Sequence, residues 1–92
     1  MATVLIPTPL RKFTDNSARI SVAGQNVAEI IGGLIATYPV IERHLLDANG
    51  SIRSFINVFV DEDDIRNLNY ENTEVHPHSV ISIIPAIAGG AL

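Results

Sequence analysis

Ninety-two residues, 47% of them hydrophobic and 17% charged, make one small globular domain, large enough to fold alone but with little core to spare. A net charge of −4 gives no electrostatic footprint for nucleic acid, whose binding draws most of its strength from Lys and Arg on phosphates. The absence of cysteine excludes disulfides, thiolate metal sites and a cysteine nucleophile.

In chain order, residues 2–6 (ATVLI) form a short β-rich run, closed by Pro7-Thr8-Pro9, which cannot continue a ladder. After a loop through Asp15-Asn16-Ser17, residues 18–22 alternate polar and apolar, placing Ile20 and Val22 on one face of a second strand paired with the first as a hairpin. From Val27 the period changes. Val27, Ile30, Ile31, Leu34, Ile35 and Tyr38 recur at helical spacing, with Asn26 as N-cap and Pro39 beyond the end, so one helix of about three turns buries one stripe.

Residues 40–46 suggest an irregular helical turn and Asn49-Gly50 a tight turn. Residues 52–60 then read as the clearest strand, with Ile56, Val58 and Val60 on one side and Phe55, Asn57 and Phe59 on the other. A polar stretch with a short strand near Glu74-Val75 leads to a last strand over residues 80–84, in which Ile81 and Ile83 oppose Val80, Ser82 and Ile84. A hairpin, a helix and later strands fit an α+β domain with a mixed four- to five-stranded sheet and its main helix on one face. With the first and last strands parallel at the centre, this is the ubiquitin-like β-grasp arrangement, expected over residues 1–84. Residues 85–92 have too little side chain to pack and are expected to extend as a flexible tail.

Little in the chain has the pattern of an active site. Asp61-Glu62-Asp63-Asp64 lacks the spacing of a calcium loop and reads as a solvated turn capping a short helix at Ile65-Arg66. His76-Pro77-His78 has no third ligand nearby, His44 has no identifiable partner, and no serine sits in Gly-x-Ser-x-Gly. Metal sites and catalytic residues of the chain's own are therefore not expected. No apolar run reaches the roughly 18 to 20 residues of a membrane-spanning helix, and the start lacks a charged-then-apolar leader, which points to a cytoplasmic protein.

Two features are not explained by folding. Phe55, Asn57, Phe59 and Ile84 fall on the sheet face away from the helix, which is expected to be a partner surface continuing into Pro85 and Ile87. The second is Gly89-Gly90 followed by Ala91-Leu92. A chain this long holds roughly 0.4 Gly-Gly pairs by chance, and the other pair, Gly32-Gly33, lies inside the helix and reads as close packing against the sheet rather than a phosphate loop.

Residues 51–66 (SIRSFINVFVDEDDIR) together with 80–90 (VISIIPAIAGG) resemble the MoaD/ThiS family of ubiquitin-like sulfur carriers. The IPTPLR start at residues 6–11, the FINVFV strand and the PAIAGG ending are most similar to its cysteine-biosynthesis carriers of the CysO type. That resemblance implies a carrier rather than an enzyme, binding no cofactor itself. It implies that an adenylyltransferase related to ubiquitin-activating enzymes uses ATP to adenylate the carboxylate of Gly90. Sulfide or a persulfide then displaces AMP to leave a thiocarboxylate, and a pyridoxal-phosphate cysteine synthase accepts the sulfur. Phe59 and Ile84 would hold the activating enzyme, and the side-chain-free Gly89 and Gly90 would pass its narrow channel. Ala91-Leu92 departs from the pattern, because Gly90 then has an amide where a free carboxylate is needed. Removal of Ala91 and Leu92 by a zinc peptidase of the JAMM class is the expectation. Carriers for molybdopterin or thiazole synthesis, a protein modifier forming isopeptide bonds through Gly90, and a plain interaction module are the alternatives.

Overall fold

The computed structural model describes residues 1–85. Strands β1 (Ala2–Leu5) and β2 (Arg19–Val22) form an antiparallel hairpin with Val4 opposite Ile20. Helix α1 (Val27–Thr37) follows, then a 3-10 turn over Pro39–Ile41 and the short helix α2 (Glu42–Leu45). Strands β3 (Ile56–Val60), β4 (Asp63–Asp64) and β5 (Val80–Pro85) complete one sheet of order β2-β1-β5-β3-β4. β5 lies at its centre, parallel to β1 and antiparallel to β3. This is the expected β-grasp topology.

Helix α1 starts where its capping chemistry dictates. The Asn26 side chain accepts from the Glu29 N–H at 2.8 Å, and the Glu29 carboxylate reaches back to the Gln25 N–H at 2.9 Å, so two of the otherwise orphaned donors are satisfied. Val27, Ile30, Ile31 and Leu34 are buried, while Ile35 and Tyr38 pack half-buried at the rim. They meet Val4, Ile56, Val58, Ile81 and Ile83, the inward members of three alternating strands.

The two helix glycines have different surroundings. A Cβ on Gly33 would stand 2.6 Å from Val22 Cγ1, whereas one on Gly32 would meet nothing within 4 Å. Val22 is buried and β-branched, so it has little freedom to give way. Close packing against the sheet thus accounts for Gly33 alone. Gly33→Ala is expected to destabilise by about 1–3 kcal/mol through overpacking, and Gly32→Ala to stabilise by roughly 0.5–1 kcal/mol through helix propensity; chemical denaturation of both variants checks the opposite signs.

Three expectations need correction. Residues 52–60 are not one strand. Ile52 makes an isolated bridge with Leu46, Arg53 N–H donates to the Leu45 carbonyl at 2.9 Å, and Ile56 N–H donates back to Arg53 O at 3.0 Å. These bonds turn the backbone before β3 begins, so Phe55 sits on the turn. The expected turn at Asn49-Gly50 is present, with Gly50 at φ +81° and the Asp47 carboxylate accepting from the N–H groups of Asn49 and Ser51. Residues 8–13, where the sequence predicts no element, form a 3-10 helix (Thr8–Phe13) with a proline in its first turn and Leu10 in the core. Glu74-Val75 forms no strand but a single bridge from Glu74 to Asn26, by which the loop is tied to the start of α1.

Candidate functional site

The site residues expected from the sequence follow β5. Ile87, Gly89, Gly90, Ala91 and Leu92 lie outside the described residues. What the structure describes is the strand that precedes them and the surfaces around its end. β5 runs one residue further than expected, to Pro85, which lies opposite Ile56 of β3.

On the sheet face away from α1, register brings three of the four expected side chains together. Asn57 pairs with Ile84, and Phe59 pairs with Ser82. Ile84 is 47% exposed, and Asn57 and Phe59 are half-buried. Phe55, expected on the same surface, is 50% exposed but sits on the turn preceding β3. Pro85 alternates to the opposite face, in register with buried Ile56. Leu5 and Val80 join the outer face: Leu5 pairs with Ser82, and Val80 with Thr3. Their signal was present in the alternation of the two central strands. The result is a band of apolar groups across β1, β5 and β3 that no helix covers among the described residues.

The acidic run proves to be a structural corner. Asp61, at φ +57°, donates its N–H to Val80 O at 2.7 Å, while its carboxylate accepts from the Val80 N–H at 3.0 Å, fixing the start of β5. Asp64 Oδ1 accepts from the Arg66 N–H at 2.9 Å and caps the 3-10 turn Ile65–Asn67, as the sequence predicted. Among the described residues no three acidic or histidine side chains converge as a metal set. His76 and His78 are exposed on a turn closed by Ser79.

His44, without a partner in the sequence reading, stacks on Phe13 with ring centroids 4.2 Å apart, and Lys12 Nζ lies 5.2 Å from the Phe13 ring. Its Nε2 is out of reach of solvent and has no hydrogen-bond partner among the described residues. Desolvation, followed by the charges of Arg43, Lys12 and Arg53, lowers the His44 pKa below 6.5. Below 6.5 the unfolded chain therefore takes up a proton that the folded chain resists, and stability is lost as pH falls until folded His44 is protonated too. Denaturation midpoints of wild type and His44→Phe, which keeps the stack, are expected to diverge below that pH and to run parallel above it.

Residues 4–90 match the model of the ThiS family. The chain belongs to that family. Sulfur carrier protein CysO of Mycobacterium bovis and of Mycobacterium tuberculosis are each 33% identical to this ThiS-family chain over 90 residues, covering 96% of it and 97% of the relative. A chain in the crystal structure of the Amycolatopsis orientalis BexX/CysO complex superposes with a TM-score of 0.91 at 33% identity, covering 98% of this chain and 100% of that one. The small archaeal modifier protein 1 of Methanosarcina acetivorans shares the fold alone, with a TM-score of 0.86 at 20% identity, covering 97% of this chain and 95% of that one. The resemblance to CysO-type carriers and the ubiquitin-like β-grasp fold, both expected from the sequence, are thus borne out.

Proposed function

We propose that this chain is a sulfur carrier whose working group is the carboxylate of Gly90. The observation that carries this reading is the extent of the family match, which ends on Gly90 and leaves Ala91 and Leu92 outside it. Adenylation joins a carboxylate oxygen of Gly90 to the α-phosphate of ATP and expels pyrophosphate. The acyl adenylate supplies the leaving group that a bare carboxylate lacks. Sulfide attacks the acyl carbon, AMP departs, and a thiocarboxylate remains. The sulfur therefore sits on the main-chain terminus and needs no cysteine, of which this chain has none.

Residues 1–84 serve as the handle and residues 85–92 as the working segment. An adenylyltransferase recognises the outer band around Phe59 and Ile84, a peptidase of the JAMM class removes Ala91-Leu92, and a cysteine synthase takes up the sulfur. The reactions belong to those partners, in the cytoplasm where ATP is at hand. That a CysO relative crystallises in a complex with BexX supports a fold of this kind working through a protein partner.

The reading is tested by intact-mass analysis of the protein recovered from its own host. Loss of Ala-Leu together with the mass change for sulfur replacing oxygen is expected. An unaltered mass under sulfur demand would sink it. Covalent ladders with other proteins would instead favour a modifier, and sulfur passed to molybdopterin or thiazole synthesis would relocate the acceptor.

A further inference from the structure

A groove of about 270 Å³ opens beside the end of β5 on the helix-bearing side of the sheet, between the turn at 52–56 and the segment 65–71. Its floor is apolar, formed by Ile52, Ile56, Val58 and Ile65. Two guanidiniums, Arg53 and Arg66, stand on its rim against one carboxylate, Glu71. The groove thus has one positive charge in excess within a chain of net charge −4. Neither guanidinium hangs loose. Arg53 Nε donates to the Arg43 carbonyl at 2.9 Å, and Arg66 Nη2 donates to Ser54 O at 2.7 Å. Arg66 Nη2 also reaches Ile56 O at 3.4 Å, and each guanidinium still has N–H groups beyond these bonds.

Tyr70 forms the remaining wall, 55% exposed and held at φ +52°. Bulky residues are rare in that left-handed region, where one costs on the order of 1–3 kcal/mol. A glycine would suit the backbone better, and more than half of the residue's surface is left to solvent.

Position connects the groove to the tail. Ile56 on its floor is the register partner of Pro85, the last residue before the segment that the proposed activating enzyme must draw into its cleft. Residues 86–90 span at most about 18 Å when extended. An enzyme engaging Gly90 therefore lies within reach of the end of β5 and of the groove beside it.

We infer that this groove is a second docking site for the adenylating enzyme, receiving an apolar segment of that enzyme that has Asp or Glu beside its apolar residues. The apolar residues fill the floor, the acidic ones meet Arg53 and Arg66, and Tyr70 closes over them. Glu71 offsets one of the two guanidiniums within the groove, while the chain's net charge of −4 disfavours acidic segments elsewhere on the surface, so charge selects the orientation. The inference rests on the sulfur-carrier reading above, and its failure is distinguishable from that reading's failure.

The test is the Kd between the full chain and the adenylyltransferase, measured by calorimetry at low and moderate salt for wild type, Tyr70→Gly and Arg53→Gln. Tyr70→Gly is expected to unfold at the same or a higher temperature than wild type, because glycine accepts the positive φ, yet to bind about tenfold more weakly. Arg53→Gln is expected to weaken binding and flatten its salt dependence. Wild-type affinity in both variants, with a chain ending at Gly90 still activated, would overturn the groove and leave the carrier role standing. Failure of a chain ending at Gly90 to be activated would overturn the carrier role instead.

Discussion

A chain ending at Gly90 is expected to form thiocarboxylate when mixed with its adenylyltransferase, ATP and sulfide, and the 92-residue chain is expected to form none. The reason is elementary chemistry. In the longer chain the Gly90 carbonyl belongs to the peptide bond with Ala91, and an amide offers no anionic oxygen to attack the α-phosphate of ATP. Within the shorter chain, Gly90→Val is expected to lower the rate by about 100-fold or more, since a branched side chain at the reacting end displaces the carboxylate from its attack geometry. Mass spectrometry of the two chains with and without enzyme decides both points. Thiocarboxylate on a chain that retains Ala91-Leu92 would overturn the processing step, and full activity of Gly90→Val would overturn the assignment of the site.

Where the sequence could be read and where it could not has a physical pattern. Helix α1 was legible because a 3.6-residue period, an N-cap and a proline stop all agree, and the structure buries the same stripe. β5 was legible because its inward and outward residues alternate without interruption. Residues 52–55 were misread because Ile52 and Phe55 supply apolar groups next to a true strand. What breaks the strand there is a set of backbone bonds, Arg53 N–H to Leu45 O and Ile56 N–H to Arg53 O, that leave no mark in side-chain pattern. Gly32 and Gly33 are alike as letters, and only the position of Val22 separates them. The groove at Arg53, Arg66 and Tyr70 has no sequence signature for a related reason, since its walls come from segments that are separated in sequence and joined only by the fold. The proposed reactive group is the hardest case. A main-chain carboxylate has no side-chain signature, so resemblance to a family, and not residue chemistry, pointed to Gly90.

The sharpest separation of scaffold from docking surface lies between neighbours on β5. Ile83 is buried opposite Val58, and Ile84 is 47% exposed opposite Asn57. Ile83→Ala leaves a cavity at the centre of the sheet and is expected to cost about 2–5 kcal/mol, a large share of the roughly 5–14 kcal/mol available to a domain of this size. At about 4–8 °C per kcal/mol, its unfolding midpoint should fall by about 8 °C or more. Ile84→Ala removes a side chain that packs against little, and its midpoint should move by only a few degrees, for a change of about 1 kcal/mol or less. Binding reverses the order. An exposed isoleucine in the middle of an apolar band is the kind of group whose loss weakens a protein interface by about tenfold or more, so Ile84→Ala should impair activation by the adenylyltransferase while remaining folded. Ile83→Ala, assayed well below its midpoint, should retain most of its affinity because the outer surface is unchanged. Equal affinity of Ile84→Ala and wild type would remove the outer band from the interface and leave the groove at Arg53 and Tyr70 as the surface to test.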